Sequence, residues 1–155
     1  MASVTVGKKV PDFTSTTTDG KPWRLKDARG KKLVLFFYPK DMTSGCTIEA
    51  QDFRDLQAAF RKAGTQVVGI SRDSCKSHAK FRDKESLNYE LLSDEDESVC
   101  GLFDVIREKN MYGKKVMGVV RSTFLIDAEG VLVQEWRKVK VDGHAEAVLE
   151  AAKEL

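Results

Sequence analysis

Apolar residues recur along the chain in short blocks divided by turn signals, and their spacing predicts the elements. Residues 32–38 are short and almost wholly apolar, the mark of a strand covered on both faces, and Pro39 ends it. From 47 to 63 the period becomes helical, with Phe53, Leu56, Ala59, Phe60 and Ala63 on one face and Gly64 as a natural C-cap. Residues 65–71 form a second buried strand through Val67, Val68 and Ile70. Asp73 or Ser74 can cap a helix of about three turns that runs to roughly Ser86. A short strand follows at 89–92 and a short helix at 97–103. Residues 123–127 and 131–137, joined by Ala128-Glu129-Gly130, make a hairpin, and 143–155 is a closing amphipathic helix. Ahead of all these, 7–23 carries turn signals at Pro11, Thr18-Asp19-Gly20 and Pro22, which predict a loosely paired segment, a hairpin.

Strands that alternate with helices imply a parallel central sheet, and the late hairpin adds an antiparallel edge. The expected fold is therefore α/β: a thioredoxin-like sandwich with a central mixed, mostly parallel sheet, helices on both faces and an N-terminal hairpin extension. No repeat, low-complexity stretch or Pro/Gly/Ser-rich linker divides the chain, so residues 1–155 are expected to be one domain.

Charge narrows the function. Lys and Arg total 26 against 24 Asp and Glu, a net charge of +2, which argues against nucleic acid as a partner. The run Arg137, Lys138, Lys140 alternates with Val139 and Val141, as on a strand with one solvated face. The longest apolar run, 33–38, falls far short of the ~20 residues of a membrane span. The N-terminus lacks the apolar core of a signal peptide. Three widely spaced cysteines in a chain able to build its own core favour free thiols in a reducing compartment, so a cytoplasmic protein is expected.

The chemistry concentrates in Phe36-Phe37-Tyr38-Pro39-Lys40-Asp41-Met42-Thr43-Ser44-Gly45-Cys46-Thr47-Ile48-Glu49, which passes from a buried strand through a tight loop into a helix. Cys46 falls at or just inside the helix N-terminus, where unpaired N–H groups and the helix dipole stabilise a thiolate. Gly45 is expected to let the backbone turn tightly. A free cysteine is most often a small core residue. Here the helix's apolar face lies on Phe53, Leu56 and Phe60, while Cys46 belongs to the entry loop, where an access path is expected.

Pro39-x-x-x-Thr43-x-x-Cys46 resembles the peroxiredoxin active-site pattern. The wider stretch Phe37-Tyr38-Pro39-Lys40-Asp41 … Gly45-Cys46-Thr47-x-Glu49 is similar to the bacterioferritin-comigratory, or Q-type, peroxiredoxins. Further matches are Val68-Gly69-Ile70-Ser71-Arg72-Asp73-Ser74, Leu92-Ser93-Asp94, Met111-Tyr112-Gly113-Lys114 and Arg121-Ser122-Thr123-Phe124-Leu125-Ile126-Asp127. The resemblance implies a thiol peroxidase in antioxidant defence. Cys46 would be the peroxidatic nucleophile, oxidised to a sulfenic acid while a hydroperoxide becomes water or alcohol. Thr43 would hydrogen-bond peroxide and thiolate, Pro39 would shield the sulfur from water, and Arg121 would hold the thiolate and polarise the peroxide. Glu49 would either orient Arg121 or complement the helix N-terminus. The chain has Ser44 where many members of the family have proline; serine there could loosen the loop or cap the helix.

A sulfenic acid must be reduced before the next turnover. The family's resolving positions are occupied here by Gln51 and Arg82, so the usual two-cysteine cycle is in doubt. Cys75, on the helix that carries Arg82 and about 10 Å from it along the axis, is the substitute candidate. Cys100, between Val99 and Leu102, reads as a core residue. The working expectation is a one-cysteine enzyme without cofactor or metal, with peroxide as substrate and thioredoxin, glutaredoxin or a low-molecular-weight thiol as reductant. A Cys46–Cys75 disulfide is the rival cycle. Family resemblance leans towards a monomer.

His78 and His144 lack ligand-spaced partners and read as surface residues. Trp23 and Trp136 read as core or core edge, and Tyr38 either lines the peroxide pocket or packs in the core. Two other functions compete. A disulfide reductase would need a C-x-x-C pair, but Thr43 occupies its first position, and Pro11, Pro22 and Pro39 include none before the later strand. A peroxide sensor or holdase could use Cys46 oxidation as a switch.

Overall fold

The computed structural model describes residues 4–155. Seven strands form one sheet: β1 (Thr14–Thr17), β2 (Pro22–Arg24), β3 (Lys32–Phe37), β4 (Thr65–Ser71), β5 (Glu90–Ser93), β8 (Ser122–Ile126) and β9 (Leu132–Arg137), in the order β2-β1-β5-β4-β3-β8-β9. The strands β3, β4 and β5 run parallel, and antiparallel strands flank them on both sides. The helices are α1 (Ser44–Asp55), α2 (Gln57–Lys62), α3 (Cys75–Glu85), α4 (Ser98–Leu102) and α5 (His144–Lys153), with a 3₁₀ turn at Leu25–Ala28. The mixed sandwich expected from the sequence is observed, but the sheet is not mostly parallel: only the β3–β4 and β4–β5 pairings are parallel, because the segments added at both edges return as antiparallel strands.

The two-residue period of the strands sorts their side chains into two cores. Leu33, Leu35, Phe37, Val68, Ile70, Phe124 and Ile126 face one side, with α4 and the N-terminal segment. Val34, Phe36, Tyr38, Val67, Leu91 and Leu125 face the other, with α1, α2, α3 and α5. Gly69 lies on this second face, where the ring of Phe36 fills the space a side chain would take. A Cβ there would stand 2.8 Å from Phe36 Cζ and 2.9 Å from Leu91 Cδ2. Gly69→Ala should therefore destabilise the fold by about 1–3 kcal/mol through overpacking, read as a lower chemical-denaturation midpoint at unchanged slope.

Three local features also differ from the sequence expectation. The helix predicted over 47–63 is two, because Leu56 leaves α geometry (φ −96°, ψ 5°). The Arg54 carbonyl beside the break accepts from the Leu56 N–H and, at 3.3 Å, from Asn88 Nδ2. A separate hairpin, β6 (Ile106–Met111) and β7 (Lys114–Val119), was not expected. Its turn residues Tyr112 and Gly113 both have positive φ (52° and 77°), as a two-residue hairpin loop of this hand requires. Last, the hairpin predicted over 7–23 is narrower: β1 pairs with β2, while residues 7–10 run antiparallel to 130–132 instead.

Candidate active site

The main-chain run through the site starts at the C-terminal end of β3. Tyr38 N still donates to the Ile70 carbonyl of β4 (3.1 Å), and the loop from Pro39 to Thr43 then enters α1. Thr43 is the N-cap residue, with extended backbone (φ −82°, ψ 154°), and Thr47 N donates to its carbonyl at 2.9 Å. The N–H groups of Ser44, Gly45 and Cys46 thus belong to the first turn and lack a helical acceptor. Ser44 does not cap the helix. It is the first helical residue, the position that proline fits well.

Cys46 is only 1% exposed. The sequence reading set it apart from the helix's apolar face with an open path to the sulfur. Instead it packs into the same core as Phe53, Phe60 and Ala50, because the third helical residue already points toward the sheet. Its Sγ accepts a hydrogen bond from Arg121 Nη2 at 3.4 Å. Arg121, on the junction between β7 and β8, donates through Nη1 to Glu49 Oε1 at 2.7 Å. Glu49 follows Cys46 by one turn on the same face and is itself 1% exposed. One guanidinium therefore bridges the sulfur and a buried carboxylate, supplying positive charge where the helix N-terminus also favours negative charge.

Gly45 serves this bridge rather than a tight turn. Its φ is not positive, and a Cβ would lie 3.2 Å from Arg121 Nη2. Burial pushes the Glu49 carboxyl up to about 7, while Arg121 pulls it down. Glu49 Oε2 is buried without a hydrogen-bond partner. Burial opposes the Arg121 charge, yet Glu49 and Cys46 hold its pKa above the ordinary value.

The remaining expected residues are spread around this bridge. Pro39 is half-buried, and Thr43 is exposed with its hydroxyl donating to the Lys40 carbonyl at 2.9 Å. Tyr38 is a core residue whose hydroxyl donates to Asp41 Oδ1 at 2.7 Å. Cys75 opens α3, half-buried, and its Sγ donates to the Thr17 carbonyl of β1 at 3.4 Å. Cys100 is buried, and burial together with the Asp94 carboxylate pushes its thiol well above the ordinary range. Both histidines, expected at the surface, are buried. His144 lies against Thr123 Oγ1 (2.8 Å), and burial, aided by Arg121, lowers its pKa to about 4. His78 is 0% exposed and contacts Asp41 Oδ2 at 2.7 Å. Polar types at helical positions gave no sign of this, because the partners that satisfy them come from distant segments.

With this geometry in place, comparison with known proteins fixes the class. The AhpC/TSA family matches residues 6–135, and the chain belongs to that family. It is a thiol peroxidase of the peroxiredoxin class. Among its relatives, peroxiredoxin Bcp of Xanthomonas campestris is 53% identical over 142 residues, covering 92% of this chain and 89% of the relative. A solved structure of the bacterioferritin comigratory protein from the same organism, described for its alkyl peroxide reduction activity, superposes with a TM-score of 0.87. It is 51% identical and covers 92% of this chain and 90% of that one. The Xylella fastidiosa PrxQ structure gives a TM-score of 0.93 at 39% identity, over 99% of this chain and 98% of that one. The chain thus sits with the Bcp, or Q-type, peroxiredoxins. No described helix is long and apolar enough to cross a membrane.

Proposed function

We propose that Cys46 is the peroxidatic nucleophile and that the chain reduces hydrogen peroxide and organic hydroperoxides. The observation that carries this reading is the Arg121 bridge from Cys46 Sγ to Glu49 at the first turn of α1. The thiolate attacks one peroxide oxygen and the O–O bond breaks. The oxygen stays on sulfur as a sulfenic acid, and the electron pair leaves with the other oxygen, which takes a proton to become water or alcohol. Arg121 lies where that negative charge shifts. Thr43 gives its hydroxyl hydrogen to the Lys40 carbonyl, which leaves its lone pairs free to accept the peroxide O–H. Glu49 orients Arg121, and Pro39 covers the sulfur side of the loop.

An external thiol, from thioredoxin, glutaredoxin or a small thiol, reduces the sulfenic acid in this reading. Cys75 favours it, since its thiol is engaged with β1 on the side of the sheet away from β8 and Arg121. The protein acts as a monomer, one domain over 1–155, in the cytoplasm. Mass spectrometry after one equivalent of peroxide tests the reading. Oxygen on Cys46, trapped by a sulfenic acid reagent, is expected. A Cys46–Cys75 disulfide would replace the one-cysteine cycle, and oxidation of Cys75 or Cys100 with Cys46 untouched would overturn the assignment.

A further inference from the structure

The network around Asp41 is not used by the reaction above, and it ties the loop before Cys46 to the first turn of α3. Asp41 is 5% exposed. Its carboxylate accepts from Tyr38 Oη at 2.7 Å and Ser77 Oγ at 2.7 Å, and it lies 2.7 Å from His78 Nδ1. Its backbone N–H donates to Asp73 Oδ2 at 2.9 Å, which also accepts from Ser71 Oγ at 2.6 Å. His78 Nε2 lies 2.9 Å from the Leu92 carbonyl on β5. A carbonyl only accepts, so Nε2 is the donor in that contact, and the ring is held between β5 and Asp41. Asp41, Asp73 and His78 bring three ligand-type atoms within 4.8 Å of one another. Each of those atoms is already engaged in these bonds, so the group is a cross-link rather than a vacant seat for an ion.

The next residue supplies an independent observation. Met42 has φ +65°, a left-handed geometry that a residue with a side chain adopts only when its surroundings hold it there. Met42 is also 44% exposed, so its side chain is not locked in the core. The loop is therefore strained at Met42 and fastened beside it at Asp41. Cys46, four residues on, is almost wholly covered. A peroxide can reach such a sulfur, whereas a dithiol must approach it in line and needs the cover to move.

We propose that Asp41 is a positioning residue: fastened to His78 and Ser77, it holds the loop 39–43 and the start of α1 in the peroxide-reactive form, and its release exposes oxidised Cys46 to the reducing thiol. This rests on the assignment of Cys46 above. Releasing Asp41 lets Met42 relax, so the two forms differ by a few local bonds rather than by the whole fold.

The test measures two single-turnover rates in a Cys75→Ser background. One is Cys46 oxidation by hydrogen peroxide. The other is reduction of the sulfenic acid by dithiothreitol, which forms a mixed disulfide with loss of water and then resolves to the free thiol and cyclic disulfide. Asp41→Asn should slow oxidation about tenfold, the worth of one lost charge-assisted hydrogen bond, and speed reduction about threefold. Ser77→Ala, which removes one donor and leaves the His78 contact, should move both rates in the same opposite senses by smaller factors; it keeps the test valid if Asp41→Asn does not fold. A merely structural role would slow both steps. Parallel slowing, or no change in either rate, overturns the proposal. If the Cys75→Ser parent itself forms no sulfenic acid on Cys46, the underlying reading fails with it.

Discussion

Replacing Cys46 with serine is expected to abolish peroxide consumption, lowering turnover by at least about 10⁴-fold, to the rate of the reductant alone. Serine is nearly isosteric with cysteine, so the packing against Phe53 and Ala50 survives and the Arg121–Glu49 pair stays in place. What is lost is an ionisable, polarisable sulfur, since a hydroxyl stays protonated at neutral pH and cannot hold an oxygen as a sulfenic acid. Cys100→Ser is the matched control and should turn over at close to the parent rate. Cys100 sits in the other core, on the buried face of α4 and across the sheet from Cys46. Coupled consumption of peroxide and a thiol reductant reads both variants. Sustained turnover by the Cys46 variant would remove the nucleophile from the mechanism.

How far the sequence revealed the molecule depended on where the stabilising partners lie. The strands β3 and β4 were legible because both faces are covered, which forces nearly continuous apolar runs. The start of α1 was legible from a buried strand, a proline and a glycine in close succession. The hairpin β6–β7 was not, because residues 114–117 are all exposed and carry no alternating pattern. The break at Leu56 has no glycine or proline to signal it, and the Asn88 contact beside it comes from more than thirty residues away in the chain. The site followed the same rule. Cys46 was readable from its own surroundings, but Arg121, 75 positions further on, was tied to it by family resemblance alone. Asp41 and His78 were overlooked because such residues are usually solvated. Their burial is possible only because Tyr38, Ser77 and Leu92 converge on them in the folded chain.

Arg121→Ala should lower the rate constant for Cys46 oxidation by about 10²–10³-fold, the range seen when a pre-positioned donor is removed from a developing charge. It should also change stability in a pH-dependent way that identifies its partner. Burial raises the folded-state pKa of Glu49 from 4.5 to about 7, with Arg121 opposing that rise. Between those values the native state binds more protons than the unfolded chain, so Glu49 costs the parent stability as pH climbs from about 4.5 to 7. Without Arg121 the opposing pull disappears, the carboxyl titrates higher still, and the variant should go on losing stability above pH 7, where the parent levels off. Glu49→Gln added to Arg121→Ala removes the buried carboxylate and should restore that alkaline stability without restoring the oxidation rate. Denaturation midpoints across pH and single-turnover oxidation rates separate the two effects. If the double variant regained activity, the guanidinium would serve only to neutralise Glu49, and its direct action at the sulfur would have to be abandoned.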